Sequence, residues 1–137
     1  MNQSSVSTVG GPFAAQSVPF ALIIKNGDIP NEYLESDYIM HQFVERLVHY
    51  VLSVPQGSFS MPELGKLLEI IDPTHQVFFF KRLKENSPGS LKQFAPLYYG
   101  FMAEFHFLLF TWNSLNDEKK IKKWTMVLEG LSFRVYN

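Results

Sequence analysis

Between Phe94 and Trp112 the chain runs for 19 residues with only Glu104 and His106 strongly polar. Water disfavours apolar surface on that scale, so the segment must be covered on at least one side whatever backbone it adopts. As a helix it would align Tyr98, Phe101, Met102, Phe105, Leu109 and Trp112 on one stripe. As a strand, Phe101, Ala103, Phe105, Phe107 and Leu109 would share a face, with Met102, Glu104 and His106 opposite. Periodicity alone does not choose between them. Pro96, Gly100 and the β-favouring aromatic rings weigh against a straight helix, while the length of the run favours one. Helix is the expectation adopted here. The run nearly suffices to cross a bilayer, but Glu104 and His106 would lie near its middle, where an ionised group costs several kcal/mol. A membrane is therefore not an expected partner.

The remaining segments have clearer punctuation. From Ser36 onward apolar residues come as adjacent pairs every four positions (Ile39 and Met40, Phe43 and Val44, Leu47 and Val48, Val51 and Leu52), which predicts a wide-striped amphipathic helix stopped by Pro55. Ser60-Met61-Pro62-Glu63 is a capping box with proline in the first turn, and a second helix should bury Leu64, Leu67, Leu68 and Ile71. Asp72-Pro73 ends it and can cap a third helix through Val77, Phe80 and Leu83. Ser90-Leu91-Lys92-Gln93 resembles another capping box, so a fourth helix is predicted to start near Leu91. Asn116 or Asp117 should cap a last helix through Lys120, Trp124 and Leu128, with Phe133 to Tyr136 extended beyond it. Upstream, residues 1–19 carry no charge and read as a flexible tail without a secretory signal, and Phe20 to Ile24 reads as a short extended segment closed by Asn26-Gly27-Asp28. The expected architecture is mainly α: a single domain over residues 20–137 with about five helices and a short N-terminal extended segment.

Composition narrows the function classes. The chain has 137 residues and no cysteine, which removes disulfides, thiolate metal sites and cysteine nucleophiles and suits a reducing intracellular compartment, cytoplasmic or nuclear. Aromatic residues make up 15%, with 13 Phe, while charged residues reach only 18% against a usual ~25%. Ring surface in excess of one small core's needs points to a covering partner. The net charge of −1 conceals a dipolar chain, because residues 1–72 carry 3 basic and 8 acidic side chains and residues 73–137 carry 9 and 5.

No catalytic constellation stands out. Glycine patterns for dinucleotide or phosphate loops and the esterase elbow are missing from the sequence. His41, Glu45 and His49 at i, i+4 and i+8 could line one helical face, but they span too much length for one ion and read as a solvated face. Glu104 with His106 would act as acid or base only if desolvated. No metal, cofactor or catalytic residue is expected, and the chain is not expected to be an enzyme. Two basic clusters remain beside rings: Lys81 and Arg82 after Phe78, Phe79 and Phe80, and Lys119, Lys120, Lys122 and Lys123 before Trp124. Cations next to aromatic faces suit an acidic protein partner or nucleic acid, although overall neutrality weighs against a dedicated phosphate binder.

From Phe43 to Phe107, about half the chain, the order of elements resembles a small winged-helix unit of the LOTUS type. A helix from Phe43 to Val54 leads through Pro55-Gln56-Gly57 into Ser58-Phe59-Ser60, then a second helix from Pro62 to Leu68. Gly89-Ser90-Leu91-Lys92-Gln93-Phe94 is similar to that family's glycine, small residue and Leu-x-x-Phe start of a third helix, and Met102 to Leu108 would be the wing. The resemblance implies an intracellular ribonucleoprotein module that binds a DEAD-box helicase or structured RNA, with the last helix added. The residues themselves point first to a non-enzymatic protein-interaction subunit or homo-oligomer. It would dock through rings at Phe78 to Phe80 or Phe101 to Trp112, with the last helix's lysines set against an acidic partner.

Overall fold

The computed structural model describes residues 18–131, and the side chains of all of these but 90, 91 and 127–131. Apart from Val18 and Pro19, the expected tail lies outside the described residues, as does the extended end expected over Phe133 to Tyr136. Among the described residues there are seven α-helices and no strand, so the chain is mainly α. The helices are α1 (Phe20–Asn26), α2 (Asn31–Leu34), α3 (Asp37–Ser53), α4 (Met61–Ile70), α5 (Pro73–Asn86), α6 (Ala95–Ser114) and α7 (Glu118–Leu131), with a 3₁₀ turn at Pro88–Lys92. Contacts divide them into two compact units whose boundary, between Phe79 and Phe80, falls inside α5.

The first unit is built on α3. Its paired apolar residues place Met40, Phe43, Val44, Leu47, Val48 and Val51 in the core, as the four-residue spacing predicts, while Ile39 and Leu52 sit half-buried at the stripe's edges. The Ser36 hydroxyl accepts from the Ile39 amide at 3.2 Å and starts the helix. Ser60 does the same for α4, accepting from the Glu63 amide at 3.3 Å, a cap worth about 1 kcal/mol. Asp72 caps α5 by accepting from the Thr74 and His75 amides at 2.8 and 3.3 Å. The Gln76 side-chain amide then reaches back and donates to the carbonyls of Leu68 and Ile71 at 2.7 and 2.9 Å. These are carbonyls that the end of α4 cannot satisfy within itself.

Phe20 to Ile24 is not extended. It forms α1, because Phe20, Ile23 and Ile24 fall at i, i+3 and i+4 and are buried together, leaving Ala21 and Leu22 outside. A five-residue apolar run is too short for its sequence period to separate helix from strand. Gly27 ends the helix in the left-handed region (φ 73°), its amide donating to the Ile23 carbonyl at 2.7 Å. α1 packs on α4 and α2 on α3, the latter through Tyr33 and Phe43, whose ring centroids lie 5.5 Å apart.

The second unit comprises the remainder of α5 and the hairpin of α6 and α7. The predicted helix over the aromatic run is present, but it begins at Ala95 rather than near Leu91, with a 3₁₀ turn before it. Pro96 explains the delay: in the first helical turn its missing N–H has no intrahelical acceptor to lose, whereas deeper inside it would break the ladder. Met102 to Leu108, the wing of the winged-helix resemblance, is the middle of this helix. Asn116 turns the hairpin in the left-handed conformation (φ 58°), which asparagine tolerates better than most residues, and Asp117 caps α7 by accepting from the Lys120 amide at 3.3 Å. The core here is a ring stack: Phe80 on Phe101 at 5.0 Å, Phe101 on Phe105 at 5.2 Å, and Phe105 on Trp124 at 5.1 Å, and Leu83 and Phe94 of the same unit are also fully buried.

Candidate interaction surface

Two elements of the second unit set the surface, and the first is α6. A helix advances 100° per residue, so Tyr98, Phe101, Phe105 and Trp112 project to one side and are buried or half-buried. Tyr99, Ala103, Phe107 and Phe110 project to the opposite side. All four are exposed, Tyr99 at 51% and both phenylalanines at 64%. Most helices reserve that side for charge. Here it carries only Glu104 and His106 at its flanks, both exposed, so neither is desolvated as an acid–base role would require.

α7 supplies the second part. Lys119, Lys120, Lys122 and Lys123 are all exposed, but they do not act as one group. Lys120 turns back to the hairpin, with its Nζ 4.0 Å from Asp117 and 5.6 Å from the Trp112 ring. Lys119, Lys122 and Lys123, at i, i+3 and i+4, line the outer side with Met126, which is 64% exposed. The Lys123 Nζ lies 4.9 Å above the Trp124 ring.

Several residues proposed from the sequence as partner-binding are in the core instead. Phe79 and Phe80 are fully enclosed, because α5 turns both inward with Leu83 and leaves only Phe78 half-buried. Phe78 stacks on His41 with centroids 4.0 Å apart. Trp124 is also internal, wedged against Phe105 and Trp112. Arg82 is half-buried and paired with Glu85 at 2.7 Å, while its neighbour Lys81 is exposed. Within the Phe101 to Trp112 run offered as a docking surface, Phe107 and Phe110 are the exposed rings, and Tyr99, which lies just outside that run, joins them. The signal for Tyr99 was the apolar character of α6 all the way round, which a stripe-based reading treats as core.

Potential metal ligands do not converge where the sequence placed them. His49 stands 4.0 Å from Glu45 on an exposed face, while His41 is engaged with Phe78. Asp37, Asp72 and His75 do come together, with ligand atoms within 4.8 Å of one another. Capping accounts for the group. The Asp72 carboxylate serves the first turn of α5 and lies 3.4 Å from the His75 imidazole, and Asp37 opens α3, so two helix N-termini already oppose a cation there.

Burial raises the phenol pKa of Tyr98, with neighbouring Tyr99 adding to it. Burial does the same to Tyr33, where Glu32 reinforces the shift and Arg46 opposes it. A folded-state pKa above the unfolded value of about 10 means that folding favours the protonated phenol. The stability tied to these groups is therefore complete below pH ~10 and is lost as pH rises through the folded values. Absorbance titration of phenolate should show two late tyrosines whose ionisation coincides with loss of helical circular dichroism. Six tyrosines ionising together with helicity intact would contradict it.

Among the described residues no helix is long and apolar enough to cross a membrane. Comparison with protein-family models, with curated proteins and with solved structures finds no match.

Proposed function

We propose that the chain is a non-catalytic interaction subunit, docking a protein partner on the outer face of α6 while the outward lysines of α7 orient an acidic surface of that partner. One observation carries the reading: α6 has its inner side filled by the ring stack, yet still presents Phe107 and Phe110 to water at 64% exposure each. Exposed aromatic anchors surrounded by few charges are typical of interface cores, and rim cations set approach and register more than affinity.

Hydroxyl-radical footprinting tests this on the intact chain. Phe107 and Phe110 should be labelled readily in purified dilute protein and protected in native lysate, with Phe79 and Phe105 unlabelled in both. Phe107→Ser with Phe110→Ser should keep the helical spectrum and abolish the protection of Tyr99 in lysate. Equal labelling of the two rings in both settings would leave the face bare and overturn the reading.

A further inference from the structure

The division of charge in the sequence falls at the division of the structure. Residues 1–72 carry net −5 and residues 73–137 net +4, and no charged residue occurs from 73 to 79, so the boundary after Phe79 separates an acidic unit from a basic one. On the basic unit the outer side of α7 sets exposed Met126 among Lys119, Lys122 and Lys123. On the acidic unit, Asp28, Glu32, Glu35 and Asp37 are all exposed, and within the same short stretch Leu34 and Tyr38 stand 44% and 67% exposed. Glu118 is exposed one turn before Lys122, yet that side of α7 stays net positive, whereas every charged side chain from 28 to 38 is acidic, so the two surfaces carry opposite net charge and each exposes apolar side chains.

We infer that the acidic surface met by α7 belongs to a second copy of this chain. The stretch from Asp28 to Tyr38 of one copy docks on the Lys119–Met126 side of α7 of the other. The inference rests on the proposed docking role and names the partner on the lysine side of it. Three points favour a second copy over other anions. The complementary patch is present in every molecule at equal concentration. It supplies Leu34 and Tyr38 for Met126, which a phosphate backbone would not. The net charge of −1 and the exposed carboxylates of the acidic unit repel nucleic acid, which binding proteins normally attract with a strong excess of cations. One such contact is small beside the ~800 Å² per partner of a stable interface. Two-fold closure repeats it, because each copy gives one patch and receives the other.

Reciprocal charge reversal is the decisive experiment. Wild-type protein in sedimentation velocity at low salt should form concentration-dependent dimers, or longer chains if the two-fold does not close. These should dissociate in about 1 M salt, where screening acts within about 3 Å. Asp28→Lys with Glu32→Lys and Glu35→Lys makes both patches basic, and Lys119→Glu with Lys122→Glu makes both acidic. Each variant alone should be monomeric, and an equimolar mixture should restore the dimer, since both contacts regain opposite signs. All five positions are exposed, and circular dichroism confirms folding. A wild-type monomer at every concentration and salt overturns the inference, as does a mixture that stays monomeric. It is equally overturned if the wild type stays monomeric but binds a mixed-sequence oligonucleotide with affinity falling steeply in salt. The footprint on Phe107 and Phe110 is read separately: protection in lysate alongside a wild-type monomer in sedimentation keeps docking on α6 and removes only the second copy as the partner.

Discussion

Phe105→Ala should lower stability by about 3–5 kcal/mol, whereas Phe107→Ala, two positions further on, should change it by no more than about 0.5 kcal/mol. Phe105 is 1% exposed and contacts Phe101, Trp112 and Trp124, so truncation removes a buried ring and leaves a cavity whose walls belong to α6 and α7. Phe107 is 64% exposed and loses little on truncation. The contrast decides between the two backbones open at the level of sequence. In a strand, residues two apart share a face and the two substitutions would cost similar amounts. Urea denaturation followed by far-ultraviolet circular dichroism measures both. Equal losses would refute the helical register of α6.

Phe43→Ala is expected to be as damaging in the first unit. Phe43 has no exposed surface and touches both Phe20 of α1 and Tyr33 of α2, so its ring is where two short helices meet the long one. Neither α1, of seven residues, nor α2, of four, has the length to persist without such packing. A loss of about 3–5 kcal/mol is a large share of the 5–15 kcal/mol that a domain commonly has. Hydrogen exchange should therefore accelerate at amides of α1, α2 and α3 together. Acceleration confined to α3 would show that the short helices are held by something other than this ring.

These two sites also mark how far the sequence could be read. Phe43 belongs to a segment where apolar pairs recur every four residues against Gln42, Glu45, Arg46 and His49, so helix and buried face follow from the same pattern. α4 and α5 were legible for a related reason, since Ser60 and Asp72 announce their starts by side-chain chemistry. α6 has no polar counter-face, and without one periodicity carries no phase. The stripe of Tyr98, Phe101, Phe105 and Trp112 could be written down for the helical case, but nothing marked which side of the helix would be left over. The three consecutive rings from Phe78 to Phe80 failed differently. Adjacent identical residues cannot reveal which of them turn inward, and the structure turns two of the three. Trp124 follows four lysines and so reads as part of a partner-binding cluster, yet its spacing from Ile121 and Leu128 puts it on the apolar side of α7 opposite those lysines, and the structure buries it.

The ring stack of the second unit has a practical side. The chain's two indoles, Trp112 and Trp124, lie together there with centroids 6.4 Å apart, and the first unit contains none. Intrinsic emission excited at the red edge consequently sees one half of the molecule and is blind to the other. Because the Lys123 ammonium rests over one of these indoles, anything that draws this lysine away should alter the colour or yield of that light. The protein thus carries its own optical gauge for whatever arrives at α7, with no label attached.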